Sequence, residues 1–291
     1  MQHNALVCVL LALGAASAVA QQIPSAPTGL HILGTSSSPT PPSTLRVLHW
    51  NTHYGGIGSD GRYDPERVID WIARFDPDII SLNEIEKFVS GHGNEDQPAL
   101  YESLLSEKTG RAWYSVFAQR YGNWMSNGSG NLILSRHPIR GQARLWLTCS
   151  NRSAALATIA VNGRDINFVS THVDSQSSSC RTAEVQQLLP WLESFPEQRI
   201  LAGDFNQSIN LPLIPVDYND GWNVAKALGT AIDIPGNSRP GATHNYRIDY
   251  VFFSKGASGV VVRSAQVFDT RDENGVSPSD HKPLLVTFEI R

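Results

Sequence analysis

The chain is short of positive charge. Its 23 Lys and Arg stand against 27 Asp and Glu, a formal net charge of −4 over 291 residues. There is therefore no global basic field to draw in nucleic acid, although a local basic groove stays open. Beyond the N-terminus no apolar run approaches the roughly 18 uninterrupted residues that a membrane helix needs, so no transmembrane segment is expected in the mature chain. Cysteine is scarce, three in all, and no Cys/His cluster has zinc-site spacing. No glycine-rich loop has P-loop spacing, and no Ser or Cys stands beside a base as a nucleophile would.

What is present is ordinary globular material, 41% hydrophobic and 17% charged. Residues 5–16 form a small, uncharged, apolar run, and Ala18-Val19-Ala20 fits the small-x-small cleavage pattern. The expected organisation is a signal peptide at 1–20, a Ser/Pro-rich linker at 21–43 and one domain at 44–291. The expected location is secreted or periplasmic, and the expected state monomeric. An uncleaved anchor is the rival reading of the first segment. Cys8 falls within it, which leaves Cys149 and Cys180, an even pair suited to one disulfide in an exported chain.

Strand-like and helix-like stretches alternate from residue 45 onward without a second break. Residues 45–51, 78–83, 132–134, 155–161, 165–170, 247–253, 259–268 and 283–290 read as strands. Asp64 precedes a helix with Pro65 in its first turn, and Val68, Trp71, Ile72 and Phe75 make its apolar face. A polar helix is expected over 97–108, and an amphipathic one around Val185, Leu188, Leu189 and Leu192. Short gaps between strands call for antiparallel neighbours, and the helices need sheet faces to cover. Two packed sheets with outer helices satisfy both requirements.

The chemistry collects at strand ends. Gly203-Asp204-Phe205-Asn206 follows a buried strand and places an acid and an amide on the same side. Glu84, next after residues 79–83, is a carboxylate of the kind Mg²⁺ accepts, with Glu86 as a rival. Asn51 ends the first strand, either as a turn residue or as an oxygen ligand. His172 precedes a Ser-rich loop. Asp249 lies inside an apolar strand, where it needs a partner, and a histidine serves best. Asp280-His281 precedes the last strand. Together these make a water-activating device for a phosphate ester. Glu84, helped by Asn51 and Asp280, holds Mg²⁺ or Mn²⁺. His281, oriented by Asp249, takes a proton from water, with Asp204 as an alternative acceptor. Asn206 and His172 bond the phosphoryl oxygens. His49 and His137 read as structural.

Asn51, Leu82-Asn83-Glu84-Ile85-Glu86, Gly130-Asn131-Leu132-Ile133-Leu134-Ser135-Arg136, Thr171-His172, Gly203-Asp204-Phe205-Asn206, Arg247-Ile248-Asp249-Tyr250 and Ser279-Asp280-His281 occur in that order. This series resembles the endonuclease/exonuclease/phosphatase superfamily over about residues 45–291. The resemblance implies a four-layer α/β/β/α sandwich of two mixed sheets flanked by helices, metal-dependent phosphoester hydrolysis and the roles given above. It also implies Asn131 as a site-wall residue. Two departures stand out: Asn83 replaces the usual Gln before the metal-binding Glu, and no acid lies near Asn131 to pair the first catalytic histidine. The opening around Trp50–Gly58 looks more like the bacterial metal-dependent hydrolases of the superfamily and the hydrolase domain of Cwh43-type proteins.

Three functional readings follow. The first is an exported phosphodiesterase for a small or lipid-linked phosphoester. The second is an extracellular endonuclease for DNA or RNA, and the third a catalytically silent binding module. Arg120 and Trp124, in a loop joining cation and aromatics, are substrate-binding candidates, as is His53 at the cleft edge. Arg152, Arg181, His244 and Arg247 are further phosphate-contact candidates.

Overall fold

The computed structural model describes residues 43–121, 127–208 and 217–291. The expected signal peptide, nearly all of the expected linker, and Trp124 lie outside the described residues. In chain order the elements are β1 (Ser43–Asn51), α1 (His53–Gly56), α2 (Pro65–Phe75), β2 (Ile79–Lys87), α3 (Gln97–Thr109), β3 (Tyr114–Gln119), β4 (Gly128–Ser135), β5 (Ile139–Leu147) and β6 (Arg152–Val161). They continue with β7 (Arg164–His172), α4 (Ser178–Glu193), β8 (Arg199–Asp204), β9 (Tyr218–Asp220), α5 (Gly221–Ala227), β10 (Ala231–Ile232), β11 (Asp249–Ser254), β12 (Val260–Val267) and β13 (Leu284–Ile290).

The strands form two mixed sheets, one of seven in the order β10-β12-β13-β1-β2-β4-β3 and one of six in the order β5-β6-β7-β8-β11-β9. The period-two rule of a strand explains the layering. In β1, Leu45 and Val47 point into a core shared by the two sheets, while Leu48 and Trp50 point out to α2 and α3. In β8, Ile200 and Ala202 face the shared core, while Leu201 packs with Leu188 and Leu192 of α4. Four layers result, as the sequence pattern predicts. Among the described residues no helix is long and apolar enough to cross a membrane.

Some local expectations shift. Asp64 occupies the cap position of α2, but its side chain makes no capping bond and instead meets Arg67 Nε at 3.4 Å. Short or edge elements such as β3, β9, β10 and α5 carry too little periodicity to stand out in sequence, whereas β5 was missed although its residues alternate strictly. Cys149 and Cys180 form the expected disulfide, joining the β5–β6 turn to the first turn of α4.

Candidate active site at one end of the sandwich

The same alternation builds the site. At one end of the shared core the inward positions change from apolar to polar. Leu45 and Val47 give way to His49 and Asn51, Ile79 to Ser81 and Asn83, Phe168 to Ser170 and His172, and Ile200 and Ala202 to Asp204. On the antiparallel strands the order runs backwards, from Ile133 to Asn131 and from Val251 to Asp249. Register then lines them up. Asn51, Asn83 and Asn131 are direct partners across β1, β2 and β4. His172, Asp204 and Asp249 are direct partners across β7, β8 and β11. Two rows of three polar residues therefore face each other across the gap between the sheets.

The rows are tied at Asp204. Asn51 Nδ2 donates to its Oδ2 at 3.1 Å, and its own backbone N–H donates to Asn83 Oδ1 at 3.0 Å. Asn83 Nδ2 in turn donates to Asn131 Oδ1 at 2.8 Å. Asn131 spends its own Nδ2 on the Ser153 carbonyl at 2.7 Å, so it braces the floor and does not line the cleft. Gly203 allows β7 and β8 to approach this closely, since a Cβ there would sit 2.3 Å from the Thr171 carbonyl oxygen.

Both histidines reach Asp204 Oδ2, with His172 Nε2 at 3.5 Å and His281 Nε2 at 3.8 Å. Their environments pull them apart. His172 is held well below its usual range by burial, then by the charges of Arg152 and Arg120. It is neutral, and its Nε2 accepts from Asn206 Nδ2 at 3.0 Å, which puts its proton on Nδ1. Burial would lower His281 too, but the charge and hydrogen bond of Asp249 outweigh it and push His281 up to about 10. Asp249 is drawn below the usual carboxylate range despite its burial, mainly by His281. Burial, followed by repulsion from Asp249, raises Asp204 to about 7. At neutral pH His281 carries a proton, and Asp204 is the group between the histidines able to accept one.

Glu84 reaches the cleft through a bulge. The register of β2 against β4 slips between Asn83 and Ile85, and Glu84 adopts φ +59°. Strict alternation would put Glu84 and Glu86 on one face. The bulge separates them, and Glu86 is buried against His92, with Nδ1 at 2.5 Å from its Oε2. Glu84 accepts only a long bond, 3.3 Å, from the Tyr54 N–H, and neutral His172 lies 4.0 Å away. Within 4 Å no cationic side chain pairs with this carboxylate among the described residues. Asn51 Oδ1 accepts a single bond, from the His53 N–H at 3.2 Å.

The remaining candidates are placed as follows. Arg120 lines the cleft. His53 turns its Nδ1 to the Ile57 carbonyl at 2.9 Å and is not on the lining. Asp280 also lies off the lining, half exposed, with His244 Nε2 4.0 Å away. Arg247 is spent on Asp220 at 2.6 Å, and Arg181 on the Asp174 carbonyl at 3.2 Å. The cleft, about 420 Å³, is lined wholly by polar side chains, including Tyr54 of α1, which the sequence offered as a cleft residue beside His53, and Ser150, Asp174 and Gln176 from loops that sequence reasoning passed over. A somewhat larger groove of about 490 Å³ lies beside α2 between Arg67 and Pro278 and contains no histidine.

His49 is the residue most clearly missed. Fully buried between the sheets, it donates from Nε2 to Asp249 Oδ1 at 2.9 Å, while Thr243 Oγ1 donates to Oδ2 at 2.6 Å and His281 Nδ1 lies 2.7 Å from it. His49 Nδ1 meets Ser81 Oγ at 3.0 Å, and Ser81 meets Ser170 Oγ at 2.7 Å across the sheets. Its signal was its place, two residues before Asn51 on the same face. It positions Asp249, which positions His281. His49→Gln is expected to lower kcat by about tenfold with KM little changed, as loss of an outer hydrogen-bond partner typically does. Steady-state kinetics check this, and an unaltered kcat removes His49 from the chain of positioning residues.

Two mixed sheets with flanking helices and a cleft of acids, amides and histidines at one end define a DNase I-like α/β sandwich. A sequence model of the Endonuclease/Exonuclease/phosphatase family matches residues 48–281, and the chain belongs to this hydrolase family. Solved structures agree on the fold. An endonuclease/exonuclease/phosphatase from Beutenbergia cavernae is 23% identical with a TM-score of 0.63, covering 85% of this chain and 72% of its own. The human Nocturnin catalytic domain with bound sulfate is 21% identical with a TM-score of 0.64, covering 85% of this chain and 95% of its own. D. rerio TDP2 complexed with a single-strand DNA product is 18% identical with a TM-score of 0.63, covering 84% and 99%. A comparison with curated proteins returned no match.

Proposed function

We propose that this chain is an exported, divalent-metal-dependent phosphodiesterase acting on a small or lipid-linked phosphoester. The carrying observation is Asp204, buried at the meeting point of the two polar rows, with a neutral and a cationic histidine within 3.8 Å of one oxygen. Family membership supports hydrolysis, and the disulfide supports export, since such bonds persist in oxidising compartments.

Glu84 and Asn51 fit a hard cation. They offer oxygen atoms, and the Glu84 carboxylate lacks a cationic partner among the described residues. Mg²⁺ or Mn²⁺ held there would polarise the phosphoryl oxygens. The closest His and acid groupings, Asp204–Asp249–His281 and His244–Asp280–His281, suit an ion less well. In the first, Asp249 is already committed to His49, His281 and Thr243. In the second, His281 has its Nδ1 committed to Asp249.

The protein's own groups supply the rest. Asp204 accepts the proton of the attacking water. Protonated His281 donates to a phosphoryl or leaving-group oxygen. His172 Nδ1–H and Asn206 stabilise charge on the phosphoryl group, Asn206 after releasing one of its present contacts to His172 and the Val173 carbonyl. On this reading the proton acceptor is Asp204, the alternative to His281 that the sequence already offered.

The test is a panel of bis-p-nitrophenyl phosphate, sphingomyelin, phosphoinositides, plasmid DNA and RNA, each with Mg²⁺ and with EDTA. Hydrolysis lost in EDTA and restored by Mg²⁺ or Mn²⁺ is expected. Cleavage that survives chelation overturns the metal assignment. Preference for plasmid DNA or RNA with steep salt dependence moves the reading to an extracellular nuclease.

A further inference from the structure

One wall of the cleft holds two cationic side chains whose donors are not all satisfied. Arg152 opens β6 and is only 6% exposed, yet its Nη1 has no hydrogen-bond partner and its Nη2 has only a 3.4 Å contact with Ser175 Oγ. Among the described residues no carboxylate lies within ion-pair distance of it. Arg120 lines the same cleft with its Nε likewise buried and unpartnered, its guanidinium 4.8 Å above the Tyr121 ring. A buried guanidinium left half-satisfied is costly unless an anion comes to it, and Glu84 and Asp174 of the same cleft act on Arg152 only from beyond ion-pair distance.

The wall is also built to stay in place. Ser150 donates to Glu184, whose other oxygen accepts the Asp174 N–H at 2.7 Å, and the disulfide ties residue 149 to residue 180 just behind. The placement along the cleft is distinctive. Arg152 opens β6, which β7 separates from the Asp204 strand β8, and Arg120 follows β3, the edge strand of the other sheet beyond β4. The arginines thus stand at the His172 end, offset from the Asp204–His281 pair that meets the scissile phosphate.

We infer that Arg120 and Arg152 form a subsite for a second anionic group, so that the preferred substrate is a small phosphodiester carrying a further phosphate or carboxylate beside the scissile one. This rests on the phosphodiesterase reading of the cleft. A zwitterionic choline headgroup would place a cation against two arginines and is disfavoured. The shared chemistry is planar, bidentate capture of an oxyanion, which arginine does well.

Two chromogenic substrates isolate the point: thymidine 5′-(p-nitrophenyl phosphate), and the same compound carrying a 3′-phosphate. The scissile diester is identical and only the second anion differs. The wild-type protein with Mg²⁺ is expected to favour the 3′-phosphorylated compound in kcat/KM by about tenfold or more, the scale of charge-assisted bonds. Arg152→Met should bring that ratio close to unity, and Arg120→Gln should reduce it. The second variant serves if the buried substitution impairs folding, as judged by thermal melting.

Calorimetric binding of inorganic pyrophosphate without turnover gives a readout independent of activity, and Arg152→Met should weaken it. If both compounds are cleaved at equal rates, the subsite is overturned while the phosphodiesterase reading stands. If neither is cleaved with any metal but pyrophosphate binding still depends on Arg152, the catalytic reading fails and the anion site stands. An advantage that grows with oligonucleotide length would assign the arginines to a nucleic-acid strand and overturn the small-substrate form.

Discussion

Replacing Asp204 with Asn is expected to lower kcat by about 10²–10⁴-fold, the usual contribution of a positioned general base. The carboxylate sits 1% exposed between His172 and His281, and the next acid of its row, Asp249, already takes three hydrogen bonds. The pH profile provides a second readout. Asp204 must be ionised to act, so activity should rise through about pH 7, or lower once a bound cation favours the carboxylate. It should fall as His281 loses its proton near pH 10. Asp204→Asn should abolish the rising limb.

Stability moves the other way. Asp204 is raised from 3.8 in the usual state to about 7 in the fold, so its contribution is full below about pH 4 and lost as pH climbs through 7. His281, raised from 6.5 to about 10, contributes fully below 6.5 and loses that contribution as pH passes 10. Between about pH 5 and pH 8 the wild type should therefore lose melting temperature that the Asn variant keeps. A variant with kcat within threefold of wild type would remove Asp204 from the chemistry.

Glu84→Gly is expected to separate activity from stability. Glu84 adopts φ +59°, a left-handed conformation that glycine reaches without steric cost. Relief of that strain offsets the roughly 0.5–1 kcal/mol of extra chain entropy glycine brings. The carboxylate accepts only the one long hydrogen bond, so melting temperature should change by no more than a few degrees. Activity should fall by about 10³-fold or more, because the variant loses a cleft carboxylate that has no cationic partner among the described residues and is free to meet a hard cation. Calorimetric titration with Mn²⁺ should show its binding lost in parallel. Glu84→Gln, which keeps the shape, should lose activity similarly. Retained Mn²⁺ binding in both variants would place the ion elsewhere, and His244–Asp280–His281 would be the grouping to examine.

Much of the site was legible because alternation is a local rule. Asn51, His172, Asp204 and Asp249 each follow or open an apolar strand, so their inward facing could be read from their own neighbours. His49 obeys the same rule and was passed over, because a lone histidine in a strand is usually a core residue and its partner lies 200 positions away. Glu84 and Glu86 exposed the limit of the rule, since a simple count puts both on one face and one bulge separates them. Asn131 and Asp280 have the right residue types, but their side chains are spent on the floor or turned outward.

Residue order by itself determined the layered sandwich, the strand ends that bear the chemistry, and the family, because hydrophobic period and motif order are properties of a single segment or of their succession. Only the tertiary structure decided which acid is buried between the two histidines, that those histidines sit in opposite electrostatic surroundings, and that two arginines share a wall. Those properties arise from burial and from charges brought within a few ångströms by strands far apart in sequence, and no local pattern encodes that distance.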